Sequence, residues 1–248
     1  MRSLFGGTLL AGVGASVCAV APASAEVQVG FNAGWNRTLS SDVTFTGPNG
    51  TDFTLEDVPW KGLSFPGDGG APYYGVRAAY WFREGPGWGV MLDYTHAKVR
   101  AKADAVVDLT GSTGPSGVAP GAYPVGDLLD RLEFTDGITF ITLNALYRAR
   151  PMGRLQPYVG LGAGINRPHV EVTGAALSDL PRTYEFQNGG VTAQALAGVD
   201  IRIAGPLSVY GEYRINYSPV DAPLSDDAFE IDTTLFTNQI LFGASVHF

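Results

Sequence analysis

From Val27 to the end, the chain alternates apolar and polar residues with a period of two in eight separate segments. After Ala25 no stretch approaches the roughly 20 apolar residues of a membrane-spanning helix. A strand of this kind shows one apolar and one polar face, which suits a wall between lipid and a wet interior. If the chain lies in a membrane it must therefore be a closed barrel, because every backbone polar group in lipid needs a partner.

The segments can be read in order. Val27, Val29, Phe31, Ala33 and Trp35 share one face of the first, and Tyr74, Val76, Ala78, Tyr80 and Phe82 one face of the second. Trp88, Val90, Leu92 and Tyr94 mark the third, and Ile141, Leu143, Ala145 and Tyr147 the fourth. Val159, Leu161, Ala163 and Ile165 oppose glycines and Asn166 in the fifth, and Ala193 to Ile203 alternate in the sixth. The seventh sets Val209, Tyr213, Ile215 and Tyr217 outward, and the eighth runs through Ile240, Phe242, Ala244 and Val246 to Phe248. That last strand, closing on an aromatic residue, is similar to the closing strand of outer-membrane barrels.

Glu84–Gly87, Arg150–Gly153 and Ala204–Pro206 read as short turns. The other four connections, near Leu39–Pro72, Ala101–Asp136, Thr173–Gly190 and Pro219–Asp232, are long and rich in Gly, Pro, Asp and Ser. The expectation is an all-β, eight-stranded antiparallel transmembrane β-barrel with short periplasmic turns and long extracellular loops. Trp88, Tyr147 and Phe248 would line the periplasmic interface, and Trp35, Tyr74, Tyr94 and Tyr217 the outer one.

Residues 1–25 read as a signal peptide for the general secretory pathway: Arg2, an apolar run from Leu9 to Val20, and Ala23-Ser-Ala25 before the cleavage point. Residues 26–248 then form one outer-membrane barrel domain. The only cysteine, Cys18, lies in the signal, which leaves no disulfide or thiolate metal site. A net charge of −8 argues against nucleic acid as a partner.

An eight-stranded lumen is just wide enough for side chains to fill, which excludes a general porin. The inward polar set, Arg77, Asp93, Thr142, Asn144, Gln194, Asp200, Arg202, Glu212 and Arg214, reads as a packed network of ion pairs and hydrogen bonds. Function then belongs to the rim, the loops or the outer wall. His247 lies next to the periplasmic end and reads as structural. His96 and His169 fall at the outer rim, with Glu171 on the same strand face as His169, and an imidazole beside a carboxylate can act as a base or bind a metal.

Lys98, Arg100 and Lys102 are grouped where a lipid phosphate could be met. Asp226, Asp227, Glu230 and Asp232, with Asp42, Asp52, Glu56, Asp57 and Asp68, make the outer end acidic, so divalent cations could bridge it to anionic lipopolysaccharide. Neither His96-Ala-Lys98 nor His169-Val-Glu171 supplies the His-x-Ser of lipid A deacylase barrels. Gly160-Leu-Gly-Ala-Gly164 has no helix after it and is not a dinucleotide site.

Five stretches resemble the rhizobial outer-membrane lipid A oxidases: Tyr73–Phe82, Trp88–Lys98 with its Asp-Tyr-Thr-His-Ala-Lys, Asp130–Gly137, Pro168–Val172 with its Pro-His-Val-Glu, and Thr237-Asn-Gln239. The resemblance implies an outer-leaflet enzyme that oxidises the proximal glucosamine of lipid A to 2-aminogluconate with molecular oxygen as acceptor. On that reading His169 with Glu171 would be the base or a metal pair, and His96 a second ligand or base. Lys98, Arg100, Glu133 and Asp136 would hold the substrate. The cofactor stays open, a divalent metal being one choice. Expected partners are lipopolysaccharide and, through Phe248, the barrel assembly machinery. The alternative is a non-catalytic OmpA-like barrel for envelope integrity, adhesion or loop display. The enzyme expects His96, His169 and Glu171 to converge beside the lipid-facing wall; the alternative expects them scattered, and strands 3 and 5 are not neighbours.

Overall fold

The computed structural model describes residues 25–62, 73–225 and 227–248; the expected signal peptide 1–25 (but for Ala25), Asp68 and Asp226 lie outside them. In chain order the strands are β1 (Glu26–Thr38), β2 (Ser41–Thr46), β3 (Thr51–Val58), β4 (Trp60–Gly62), β5 (Tyr74–Trp81), β6 (Gly87–Ala101) and β7 (Val106–Thr113). There follow β8 (Gly121–Pro124), the one-turn helix α1 (Val125–Leu128), β9 (Leu129–Arg148), β10 (Leu155–Gly174), β11 (Thr183–Phe186), β12 (Gly190–Ala204), β13 (Leu207–Pro223) and β14 (Glu230–His247).

Eight of these close an antiparallel ring in the order β1-β5-β6-β9-β10-β12-β13-β14, with β14 paired back onto β1 from Gln28↔His247 to Thr38↔Thr237. Closure leaves no edge in the ring, which is what allows strands to cross lipid. The alternation falls as the sequence predicts. Phe31, Leu92, Leu143, Leu161 and Phe242 are 56 to 70 % exposed, while Arg77, Asp93, Asn144 and Arg214 on the opposite faces are buried. Water does not tolerate a continuous apolar belt of this size on a monomer, so the belt faces lipid. The three periplasmic connections are short; at the last, Gly205 takes the left-handed φ of +53° that a tight turn needs.

The middle of the lumen is filled, and a cavity of about 460 Å³ opens at the periplasmic end. Arg214 donates from Nη1 to Asp93 Oδ1 (2.7 Å) and from Nη2 to Glu212 Oε1 (2.6 Å). Glu212 Oε2 also accepts from Arg77 Nη1 (3.0 Å) and from the Tyr158 hydroxyl (2.8 Å). Nearer the periplasm Glu26 binds Arg148, Arg202 and His247, and His247 Nε2 also lies 2.8 Å from Ser208 Oγ. His247 is thus structural, and paired charges are the condition on which a lumen can be packed with ions.

The long connections carry further short strands, which the sequence expectation of eight strands did not include. The β2–β3 hairpin continues the wall above β1 by pairing β14 through Val43↔Thr233, and β7 and β8 extend that sheet. Strand β4 pairs β6, and β11 pairs β10. Inside this extension Val43, Phe45, Phe53, Leu55, Trp60, Phe134, Val170 and Ile231 belong to one buried apolar cluster. Burial of each such side chain stabilises by about 1.5–3 kcal/mol, which is what holds these segments as strands outside the membrane.

Candidate functional site

Strand β9 is the middle of three neighbours, with β6 on one side and β10 on the other. All seven sequence-predicted site residues lie on these strands: His96, Lys98 and Arg100 on β6, Glu133 and Asp136 on β9, His169 and Glu171 on β10. The two histidine strands are not adjacent, yet only one strand separates them.

That strand is bulged between them. Against β6 the register passes from Ala97↔Ile138 to Val99↔Phe134, and against β10 from Pro168↔Ile138 to Glu171↔Glu133. On each side β9 has two more residues than its partner, within Thr135-Asp-Gly137. Gly137 takes φ +125°, which only glycine adopts readily. Bulges re-aim side chains and terminate regular pairing beside functional sites.

The site residues point away from the lumen. Ala97 and Val99, Leu132 and Phe134, and Val170 and Val172 are in the interior cluster, so the alternating His96, Lys98, Arg100, Arg131, Glu133, His169 and Glu171 lie on the outer face. His169 is four residues beyond Ile165, an exposed apolar position of the belt. At the strand rise and tilt of a small barrel that places it about 10 Å above the belt, at the depth of lipid head groups.

Glu171 is the hub. Its Oε2 accepts from Arg131 Nη1 (2.7 Å) and its Oε1 from the Thr135 hydroxyl (3.0 Å), with His169 Nδ1 at 3.4 Å from the same Oε1. Arg131 Nη1 also reaches Glu133 Oε1 (2.8 Å), and Arg100 Nε lies 3.9 Å from Glu133 Oε2. Lys98 Nζ donates to the Thr135 carbonyl, so this buried lysine holds the bulge. Asp136 belongs to the bulged backbone; its side chain is outside what is described.

The two histidines have different settings. His169 stands edge-on to Tyr184 and Phe186, with ring centroids at 4.6 and 4.7 Å. His96 stacks on Tyr74 at 5.0 Å on the other side of Gly137. Thus His169, Glu171, Glu133 and Arg100 form one connected set with Arg131 and Thr135, Lys98 joins it through the bulge, and His96 borders that bulge. Among the described residues no group of three or more His, Cys, Asp or Glu is placed to hold a metal ion.

Arg131, Thr135, Tyr184 and Phe186 are members the sequence reading missed. Arg131 was findable: Leu132 and Phe134 alternate with Arg131 and Glu133, which is strand periodicity. The aromatic pair reaches His169 only through the pairing of β11 onto β10.

Comparison with curated proteins gives no match. Among solved structures, OprG of Pseudomonas aeruginosa aligns over 92% of this chain and 97% of its own, at 15% identity and a TM-score of 0.51. Neisserial surface protein A aligns over 90% and 96%, at 14% identity and a TM-score of 0.42. Such identities speak for the fold alone. The profile of the outer membrane protein beta-barrel domain matches residues 8–248. The chain therefore belongs to the outer membrane protein beta-barrel domain family and is an integral β-barrel of a bacterial outer membrane.

Proposed function

We propose that this is a non-transporting envelope barrel whose working surface is its outer wall at head-group depth, where the residues around the β9 bulge engage lipid A of the outer leaflet. The observation that carries this reading is the outward convergence of charged side chains and an imidazole onto one patch beside a filled lumen. A lumen packed with ion pairs below and apolar side chains above offers no path for a solute, whereas Arg131, Arg100 and Glu133 stand where lipid head groups begin. The test is a photo-crosslinking residue at Phe186 in living cells, with a second at Leu161 in the acyl belt as a reference. Capture of lipopolysaccharide through its saccharide at position 186 supports the reading; capture at 161 alone would sink it.

One observation favours a second reading, oxidation of lipid A at this patch: His169, Glu171 and His96 gather around one bulge. The chemistry would remove the hydroxyl proton at the anomeric carbon through the His169–Glu171 pair, while the two electrons and the hydrogen of the C1–H bond reduce oxygen to hydrogen peroxide. Addition of water to the resulting lactone gives the aminogluconate. Mass spectrometry of lipid A from cells with the gene, without it, and with His169→Ala decides this. A gene-dependent gain of one oxygen that the variant loses supports oxidation, and unchanged lipid A with the barrel correctly inserted excludes it.

A further inference from the structure

Beside the bulge the outer wall has two hollows, of about 480 and 270 Å³, and Arg131 borders both. Lys61, Arg100 and Lys102 line the larger with Asp104, Asp130 and Glu133. Arg182, Thr173 and Tyr184 line the smaller. Lys61 and Arg100 are a directly opposed pair on β4 and β6, so their side chains share the outer face. Lys102 and Arg182 are exposed, and among the described residues neither forms an ion pair. Arg131 between them is already bound to Glu133 and Glu171. The chain as a whole is acidic, with net charge −8, so two adjoining hollows whose cationic side chains outnumber their carboxylates are a local exception to its charge.

We propose that the two hollows form one subsite for a glycolipid saccharide that carries two anionic groups, one received by Arg100 and Lys102 and the other by Arg182, with Arg131 fixing the distance between them. This deepens, and rests on, the outer-wall reading above. Guanidinium forks suit the oxygens of a phosphate, and Lys102 adds a point charge. The ring of Tyr184, half exposed and lining the hollow of Arg182, gives the sugar an apolar face to lie against. Lys98 takes no part, because it holds the Thr135 carbonyl.

The experiment is titration of the purified barrel in detergent with bis-phosphorylated, monophosphorylated and fully dephosphorylated lipid A, and with inorganic phosphate as competitor. Each charge-assisted contact is expected to raise affinity about tenfold, so the bis-phosphorylated form should bind about a hundredfold more tightly than the dephosphorylated one. Lys102→Gln and Arg182→Gln should each remove about one tenfold step, and the double variant both. Both substitutions are on the surface and leave Glu133 and Glu171 paired with Arg131; unchanged heat-modifiable migration on gels verifies the fold. Equal affinity for all three lipids overturns the two-anion subsite and leaves the outer-wall reading intact. Binding of none of them overturns the reading on which it rests. Competition by inorganic phosphate at concentrations equal to the lipid would overturn the assignment to a lipid head group.

Discussion

Gly137 lies directly against the imidazole of His96: a Cβ at position 137 would stand 2.0 Å from Cε1 and 2.4 Å from Nδ1. Together with φ +125° this makes 137 a position where glycine is required twice, by its own backbone and by its neighbour. Gly137→Ala should destabilise the barrel by about 1–3 kcal/mol and displace His96 from Tyr74. Gly153→Ala is the reference, since Gly153 also has a positive φ, +63°, with nothing within 4 Å of its Cβ position. Thermal migration shifts on gels measure the first effect and the imidazole resonances of His96 the second. A Gly137→Ala midpoint equal to that of Gly153→Ala, with unmoved resonances, would remove the steric argument.

The same dipeptide shows why part of this site was hard to see. Asp136-Gly137 is a turn signal in any sequence, and it ended the fourth alternating segment at the place where β9 in fact runs on to Leu129. The two extra residues keep the parity of the strand, so Leu132 and Phe134 stay in phase with Ile138 and Phe140; the turn signal alone, not a change of phase, separated the alternation of Arg131 and Glu133 from that of Thr139 and Ile141. The facing of Phe31, Leu143 and Arg214 was legible because each lies in an unbroken ladder. The β2–β3 hairpin was not, since the acids around Phe53 and Leu55 suggest a solvated loop until Ile231 and Val43 cover that face. His96, His169 and Glu171 were legible as candidates; their meeting depended on ring order, which alternation does not encode.

Arg214 is the keystone of the lumen, with Asp93 on one side and Glu212 on the other and no exposed surface on the pair it makes with either. Arg214→Ala leaves two buried carboxylates short of a cation, which costs about 3–5 kcal/mol. Replacing Arg214 and Asp93 together by apolar residues should cost much less, because Glu212 keeps Arg77 and no uncompensated charge remains. Urea unfolding in detergent, followed by tryptophan fluorescence, compares the two. A single variant as stable as the double would show that the pair contributes nothing.

Outside the membrane, Asp221 and Asp232 face each other directly on β13 and β14. Partial burial, and then the charge of Asp221, raise the Asp232 carboxyl above its ordinary 3.8. The folded state therefore holds this proton more tightly than the unfolded chain, and stability falls as pH rises from 3.8 through the folded value. Asp232→Asn should flatten that part of the pH profile and gain stability above it. Thermal midpoints of both proteins from pH 3.5 to 7 test the sign: a wild-type advantage that grows with pH would reverse it.

Phe134 connects the extension to the site, because its ring is fully buried, lies 5.9 Å from that of Trp60 and immediately precedes the bulge. Phe134→Ala removes a core aromatic at a typical cost of about 3–5 kcal/mol. The loss should fall on the extension rather than the ring, since the strands in lipid keep every pairing between β1 and β14 whereas the extension has fewer pairings and packs on the apolar cluster. Limited proteolysis of intact cells should then cut within β2–β4 or β7–β8 while the ring survives as a heat-modifiable fragment. If outer-wall capture of lipid at Phe186 is lost in the same variant, the bulge needs the apolar extension behind it to present Glu171 and Arg131. If the extension resists protease as the wild type does, its stability comes from backbone pairing and not from the core around Phe134.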